Sequence, residues 1–345
     1  MNKKFISSLL LLTGANILFA LPALVGSTQY KASSVNSLSF NLRWENLEIE
    51  PADTNEITVD IHCNNRRYAP TVKLSSGSLI IESVPLKRAI IMNHNRCTVI
   101  VKMPQNMTFE KIKFNTSSGN IKSSVSITSN ESLIEASSGN IQIKDLNSKT
   151  AKVQASSGNI SLNNFTVADL ISQASSGRIT LNKITAQSLQ SQTSSGGIKL
   201  QDISAKDFEG HASSGNITGQ NLACQSFNIS TSSGTIGLEF VEAPSSKSAI
   251  QSTSGTQYIS IPVYSKLELR VTTSSGRFLN TITNEKISSH ANYKEEINGG
   301  GPLLTLSSSS GSITLEGGNF AEGRSTSDFS SQSEDIPVVI FDDAK

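Results

Sequence analysis

Along most of this chain, isoleucine and leucine fall on alternate positions with a polar residue between them. A period of two marks a strand with one buried face, not a helix. The alternating stretches are short, and the same order returns after each. Ile121, Ile141, Ile160, Ile179, Ile198, Ile217 and Ile236 each stand two residues after a glycine. Ile143, Leu162, Leu181, Leu200 and Leu238 stand four after it. Leu146, Phe165, Ile184, Ile203, Leu222 and Val241 stand seven after it, and Leu170, Leu189, Phe208 and Phe227 twelve after it. Three residues before the next glycine comes a small side chain, as at Ala136, Ala155, Ala174 and Thr193.

Each glycine closes a Ser-Ser-Gly tripeptide, or Thr-Ser-Gly at Gly255. From Gly119 the intervals are 20, then five of 19, then 21, 21 and 35. Composition bias scatters a tripeptide; equal steps define a repeat. The unit is too short for a helix–turn–helix repeat, which needs about 33 residues or more, and the leucine-rich pattern is absent. Short strands joined by tight turns remain, each unit burying one apolar stripe and pairing its backbone with the units above and below. The fold class expected is all-β. It is a parallel β-solenoid (β-helix) of about nine to ten coils of 19–21 residues, with an N-terminal β segment leading into it. Nine coils from Gly119 to Gly276 would rise about 40–45 Å at a strand spacing of 4.7–4.9 Å. At each corner, glycine is expected to supply a positive φ and serine a local hydrogen bond.

The flanks break the pattern. Leu38, Phe40 and Leu42 alternate, residues 57–61 and 99–101 read as further strands, and Pro104 ends the last. This region reads as an antiparallel lead-in that closes the first coil. Gly77 lies out of phase and fits a strand turn. Residues 280–301 read as a polar loop before a last coil at 307–316. Lys3 and Lys4, an apolar run to Val25 and small residues at Gly26 and Ser27 read as a secretory signal peptide cleaved before Thr28. The alternative is a retained membrane anchor. The division is therefore residues 1–27 signal peptide, 28–110 lead-in or cap, 111–316 solenoid, and 317–345 a polar tail. Within that tail, residues 336–341 are apolar and read as a strand that folds back to cap the solenoid or docks on a partner.

Residues 99–104 (Val-x-Val-x-Met-Pro) followed by Phe114-Asn115-Thr116-Ser117-Ser118-Gly119-Asn120-Ile121 and its successors resemble the bacterial putative-adhesin domain family of unknown function. The resemblance covers residues 38–316. It implies tandem Ser-Gly-(Asp/Asn)-Ile units on a β-solenoid and brings no catalytic residue with it. Asn120, Asn140, Asn159 and Asn216 stand where Asp is common in that family, and Arg178, Gly197, Thr235 and Arg277 fill the same column elsewhere.

Composition narrows the chemistry. Lys and Arg number 29 and Asp and Glu 28 in 345 residues, giving a net charge of +1 and no basic excess for nucleic acid. Cys63 and Cys97 form the candidate disulfide, closing a loop worth about 3–4 kcal/mol in the chain-entropy model. Cys224 reads as a small buried hydrophobe. No cysteine has metal-ligand spacing, and His62, His94, His211 and His290 share no column. Asp145 and Asp202 share a column three coils apart, and Asp169 and Asp207 share another two coils apart. Glycosidase carboxylates lie about 5–9.5 Å apart, so a solvated mixed ladder is the expected reading. No catalytic, cofactor-binding or metal-binding residue is expected. The function read from this is a secreted or surface-displayed adhesin-like binding module acting as a monomer. Its partner would be a surface, matrix or envelope ligand, glycan or protein. The alternatives are an envelope scaffold or stress protein docking through its tail and, behind that, a polysaccharide-active enzyme.

Overall fold

The structure, a computed structural model, describes residues 21–85, 96–287 and 292–318. The described residues form one continuous β-architecture of 25 strands with two single-turn 3₁₀ segments. No helix among them is long and apolar enough to cross a membrane.

The repeat is realised as parallel stacking in register. Ile160 pairs with Ile179, Ile179 with Ile198 and Ile198 with Ile217, and all four are at most 1% exposed. Phe165, Ile184, Ile203 and Leu222 form a second buried column, and Leu170, Leu189, Phe208 and Phe227 a third. In the middle of the stack each coil runs as one long strand: Ile160–Ala174, Ile179–Thr193, Ile198–Ala212 and Ile217–Thr231. After Gly234 the register shifts. Leu222 meets Phe240, one place earlier than the repeat implies, and Phe240 stacks on Phe227 at 4.4 Å.

The corner glycines are required for a different reason from the one expected. Positive φ among glycines occurs at Gly77, Gly299 and Gly300, none of them in a solenoid Ser-Ser-Gly corner. At the corners the constraint is space. A Cβ on Gly158 would fall 1.9 Å from the carbonyl oxygen of Gly139, and one on Gly177 1.9 Å from that of Gly158. The corners nest backbone on backbone, and no side chain fits between coils. The left-handed conformation sits instead six residues after the glycine, at Asn164 (φ 59°), Lys183 (54°), Asp202 (54°) and Asn221 (56°). Asn and Asp tolerate that region best, which explains much of this column's composition. Gly77 does follow the expectation of a strand turn, joining Thr71–Ser75 to Ser78–Glu82 with Ser76 and Gly77 both at positive φ.

Both ends depart from a sequential stack. Ser37–Asn41 pairs in parallel with Met107–Thr116 on one side and with Ser78–Glu82 on the other. Asn46–Pro51 likewise lies between Ile121–Ser123 and Cys97–Met103. The lead-in thus contributes a true coil, one layer in from the end, rather than a purely antiparallel cap. Its corner, Arg43-Trp44-Glu45, takes the Ser-Ser-Gly place beneath Gly119. Glu45 is fully buried there, its Oε2 accepting from the backbone N–H groups of Arg43 and Trp44 and from the Ser83 hydroxyl.

The C-terminal end mirrors this. Ser248–Ser252 pairs with Leu303–Ser308, which pairs in turn with Leu267–Thr273. Gln257–Pro262, Ile313–Gly318 and Phe278–Asn280 repeat that order. The last coil of the sequence is therefore inserted between the Gly255 and Gly276 coils. The stretch expected as a loop closes the outermost coil: Asn292–Ile297 runs antiparallel to Leu267–Thr273, and Glu285–Ile287 antiparallel to Phe278–Asn280. The exposed Lys294 and Glu296 on the first of these guard its edge with charge, as exposed strand edges require, while the Glu295 carboxylate accepts from Asn280, Thr283 and Tyr293.

At the N-terminal end, Leu24–Lys31 runs antiparallel to Glu56–Cys63. The cleavage expected before Thr28 falls inside this strand, and the Ser27 hydroxyl donates to Asp60 Oδ1 at 2.7 Å. Cys63 and Cys97 face each other across antiparallel strands, with Cα atoms 4.2 Å apart and sulfurs joined. The remainder of the expected signal segment and the apolar stretch 336–341 lie outside the described residues.

Candidate functional site: polar ladders and a groove

Inward columns are mostly apolar, with a few buried serines such as Ser148, Ser172 and Ser191, so the outward columns hold most of the chemistry the solenoid offers. The asparagines that follow Glu45, Gly119, Gly139, Gly158 and Gly215 form the first ladder. Asn46 Oδ1 accepts from the backbone N–H of Asn120, Asn120 Oδ1 from Asn140, Asn140 Oδ1 from Asn159, and Asn159 Oδ1 from Arg178, each at 2.9 Å. Asn216 Oδ1 accepts from Thr235 N–H at 2.8 Å. The amide group of Asn140 also donates back to Asn120 Oδ1 at 3.3 Å. An amide serves both directions, whereas stacked carboxylates would repel at one strand spacing. This column holds the corners together.

The second ladder lies fifteen residues after the glycine. Gln154 Nε2 donates to Gln173 Oε1, and Gln173 Nε2 to Gln192 Oε1 at 3.2 Å. His211 takes the next place, its Nδ1 2.9 Å from the Ser230 hydroxyl. Two residues further on are the exposed serines Ser156, Ser175 and Ser194 and the half-buried Ser213. Between the columns run Ala155, Ala174 and Thr193, buried and small. Because the middle column is low, the flanking ones stand as walls of a groove of about 470 Å³ crossing four coils. Sequence reasoning missed this site, although Gln154, Gln173 and Gln192 recur at the repeat interval before a small residue.

The expected carboxylate columns are tied up locally. Asn164 Nδ2 donates to Asp145 Oδ1 at 2.5 Å and Asn221 Nδ2 to Asp202 Oδ1 at 2.6 Å. Asp169 and Asp207 line a second open depression of about 580 Å³, with Ser188 in register between them. The Ser226 hydroxyl donates to Asp207 Oδ1 at 2.5 Å. Cys224 is buried in the core, and burial pushes its thiol up to about 12, which leaves it un-ionised and unreactive at neutral pH. His62 bonds through Nδ1 to the Pro22 carbonyl at 3.0 Å and is remote from His211; His94 and His290 lie outside the described residues. Among the described residues, no three His, Cys, Asp or Glu side chains gather as a metal site would require.

Solved structures are similar to the chain at low identity. One is a putative adhesin from Parabacteroides merdae ATCC 43184, 12% identical, covering 84% of this chain and 95% of its own, with a TM-score of 0.45. Another, a putative adhesin from Parabacteroides distasonis ATCC 8503, is 16% identical over 69% of this chain and 94% of its own, with a TM-score of 0.43. A third, named a putative lipid binding protein from the same organism, is 15% identical over 84% and 96%, with a TM-score of 0.41. No curated protein matches the chain. The Toastrack DUF4097 family matches twice, over residues 35–166 and 149–316, which together run from the lead-in coil to the inserted last coil. By that match, and by the in-register coils that fill the same residues, the chain belongs to the Toastrack DUF4097 family.

Proposed function

We propose that this chain is a non-catalytic binding module, displayed outside the cytoplasm, that holds an extended surface ligand through its outward polar columns. The observation that carries this reading is the groove between the Gln154–Gln173–Gln192 ladder and the exposed serines, built from repeated polar groups that a long ligand meets again at each coil. Adhesive contact suits such a surface: each rung adds a small increment and the increments accumulate along the axis. The carboxylates favour binding over catalysis. Asp145, Asp202 and Asp207 each accept from an amide or hydroxyl in the next coil, which suits a ladder rather than a proton-transfer pair. The lead-in disulfide and the lysine-led apolar N-terminus support an oxidising, extracytoplasmic compartment.

The test pairs retention with turnover. The purified chain is passed over immobilised polysaccharides, matrix proteins and isolated bacterial envelopes, and the same panel is assayed for cleavage products. Saturable retention on at least one surface without products is expected. Product release, or retention on none, would end this reading.

A further inference from the structure

Resting on the binding-module reading, we propose that the groove beside the glutamine ladder is a binding site for a neutral, linear, β-linked polysaccharide lying parallel to the solenoid axis. Hydrogen-bonding capacity comes first. Each glutamine amide has two N–H donors and an oxygen with two lone pairs, and the ladder uses one donor and one lone pair of Gln173. A second donor and a second lone pair are left on each rung. On the opposite wall the hydroxyls of Ser156, Ser175 and Ser194 are exposed, and their backbone N–H groups are already spent between coils. The three glutamine coils therefore repeat amide donor, amide acceptor and hydroxyl in one order, and His211 and Ser213 continue the two walls in the fourth. That is the complement of a sugar ring edge, which carries several hydroxyls able to donate and accept.

Charge and shape exclude other classes. The lining holds no Lys, Arg, Asp or Glu, and His211 is its one titratable group. Nucleic acid and acidic polymers need cationic partners, which this groove does not provide. Its floor is flat along the axis because Ala155, Ala174 and Thr193 are in register with their side chains turned inward, Thr193 Oγ1 donating to the Gly177 carbonyl and accepting from the Gly196 N–H. A volume of about 470 Å³ falls in the range of ligand sites.

Periodicity separates a glycan from a peptide. Rungs repeat every 4.7–4.9 Å, whereas an extended peptide advances about 3.3 Å per residue and presents each side every second residue. A peptide along this groove would lose phase with the ladder within two coils. A β-1,4-linked hexose chain advances close to one strand spacing per sugar and turns each sugar over relative to the last, so it stays in step with the rungs and presents the same edge at every second one. With no aromatic platform in the lining, single contacts are weak and the polymer gains from occupying all four coils together.

The experiment is affinity electrophoresis of the full chain in gels containing hydroxyethylcellulose, with titration of cellohexaose and chitohexaose followed by calorimetry. Polygalacturonate and a Ser/Gln-rich peptide serve as the acidic and peptide probes. Ser175→Trp fills the groove from an exposed position, and the pair Gln173→Ala with Gln192→Ala removes two rungs. Ser176→Trp places the same bulk on the neighbouring exposed serine, outside the lining. The expected result is retardation and saturable binding by at least one neutral glycan. Binding should weaken at least tenfold in Ser175→Trp and in the glutamine pair, and stay unchanged in Ser176→Trp. Binding to the acidic or peptide probe alone would overturn the inference. So would unweakened binding by Ser175→Trp, whose folding is checked by its melt. If the chain adheres to envelopes or proteins but to no neutral glycan, the ligand class is wrong and the binding-module reading stands; if nothing retains it, both fall.

Discussion

A Cβ added to Gly177 would lie 1.9 Å from a backbone oxygen that has nowhere to move, although the residue has an ordinary φ. Gly77 is the reverse case. Its φ is 77°, and the nearest atom to an added Cβ is the Asn36 side-chain nitrogen at 3.1 Å. Gly77→Ala should therefore cost about 1 kcal/mol from backbone strain. Gly177→Ala should cost at least 1–3 kcal/mol, because it pries two coils apart. Urea melts of the two variants measure the difference, and the reverse order would refute backbone nesting. The sequence makes each of these glycines conspicuous but is silent on which property of glycine is used. That depends on how closely the coil below approaches, a distance that exists only after stacking. Asp60 offers a second residue-level test. Burial acts to raise its pKa, but the Ser27 hydroxyl and the Lys102 ammonium at 3.0 Å outweigh it and hold the carboxyl below its ordinary 3.8. A folded pKa below the unfolded one stabilises the fold above the unfolded value, and that contribution is lost as pH falls through the folded value. Asp60→Asn should be less stable than the parent by about 1 kcal/mol at pH 7. The gap should close below pH 3.8, and a gap constant across a pH series of melts would contradict the assignment.

The coil is the element, and its inward columns were readable because burial imposes one residue type at one interval. Outward columns were harder. Asn164, Lys183, Asp202 and Asn221 look like a charge ladder in the sequence, yet their shared property is a left-handed backbone, which does not appear in a charge tally. The glutamine ladder was passed over for a related reason. Its position has meaning only once Ala155, Ala174 and Thr193 are known to form a low floor beside it. Register makes the coil a removable unit. Deleting residues 155–173 joins Gln154 to Ala174 and leaves every column in phase, so a cooperative β-rich fold should persist. Deleting ten residues from the same point shifts each column and should abolish it. Circular dichroism melts of the two deletions check this, and equal behaviour would refute the 19-residue unit.

For the whole molecule, the ends were the least legible part. Edge strands of near-identical coils offer near-identical pairing partners, so chain order does not dictate stack order. The 35-residue interval before Gly311 was the one visible trace of the inserted coil. Insertion places each terminal coil between two neighbours, so neither can fray alone. It also specifies which residues can be cross-linked. Tyr258 and Leu279 each pair with Thr314 from opposite sides. A Tyr258→Cys/Thr314→Cys pair lies at one strand spacing, within disulfide reach, and should oxidise readily. A Tyr258→Cys/Leu279→Cys pair lies two spacings apart and should not; a sequential stack would give the opposite result.

Extended contact along the axis is tested most directly by counting coils. Retention of the full chain on isolated bacterial envelopes is compared with that of variants lacking residues 155–173 or residues 155–192, which remove one and two rungs of the groove while keeping register. Retention should weaken stepwise with each coil removed, with all three proteins folded by melting. Undiminished retention after loss of both coils would place binding elsewhere and contradict a ligand held along the solenoid.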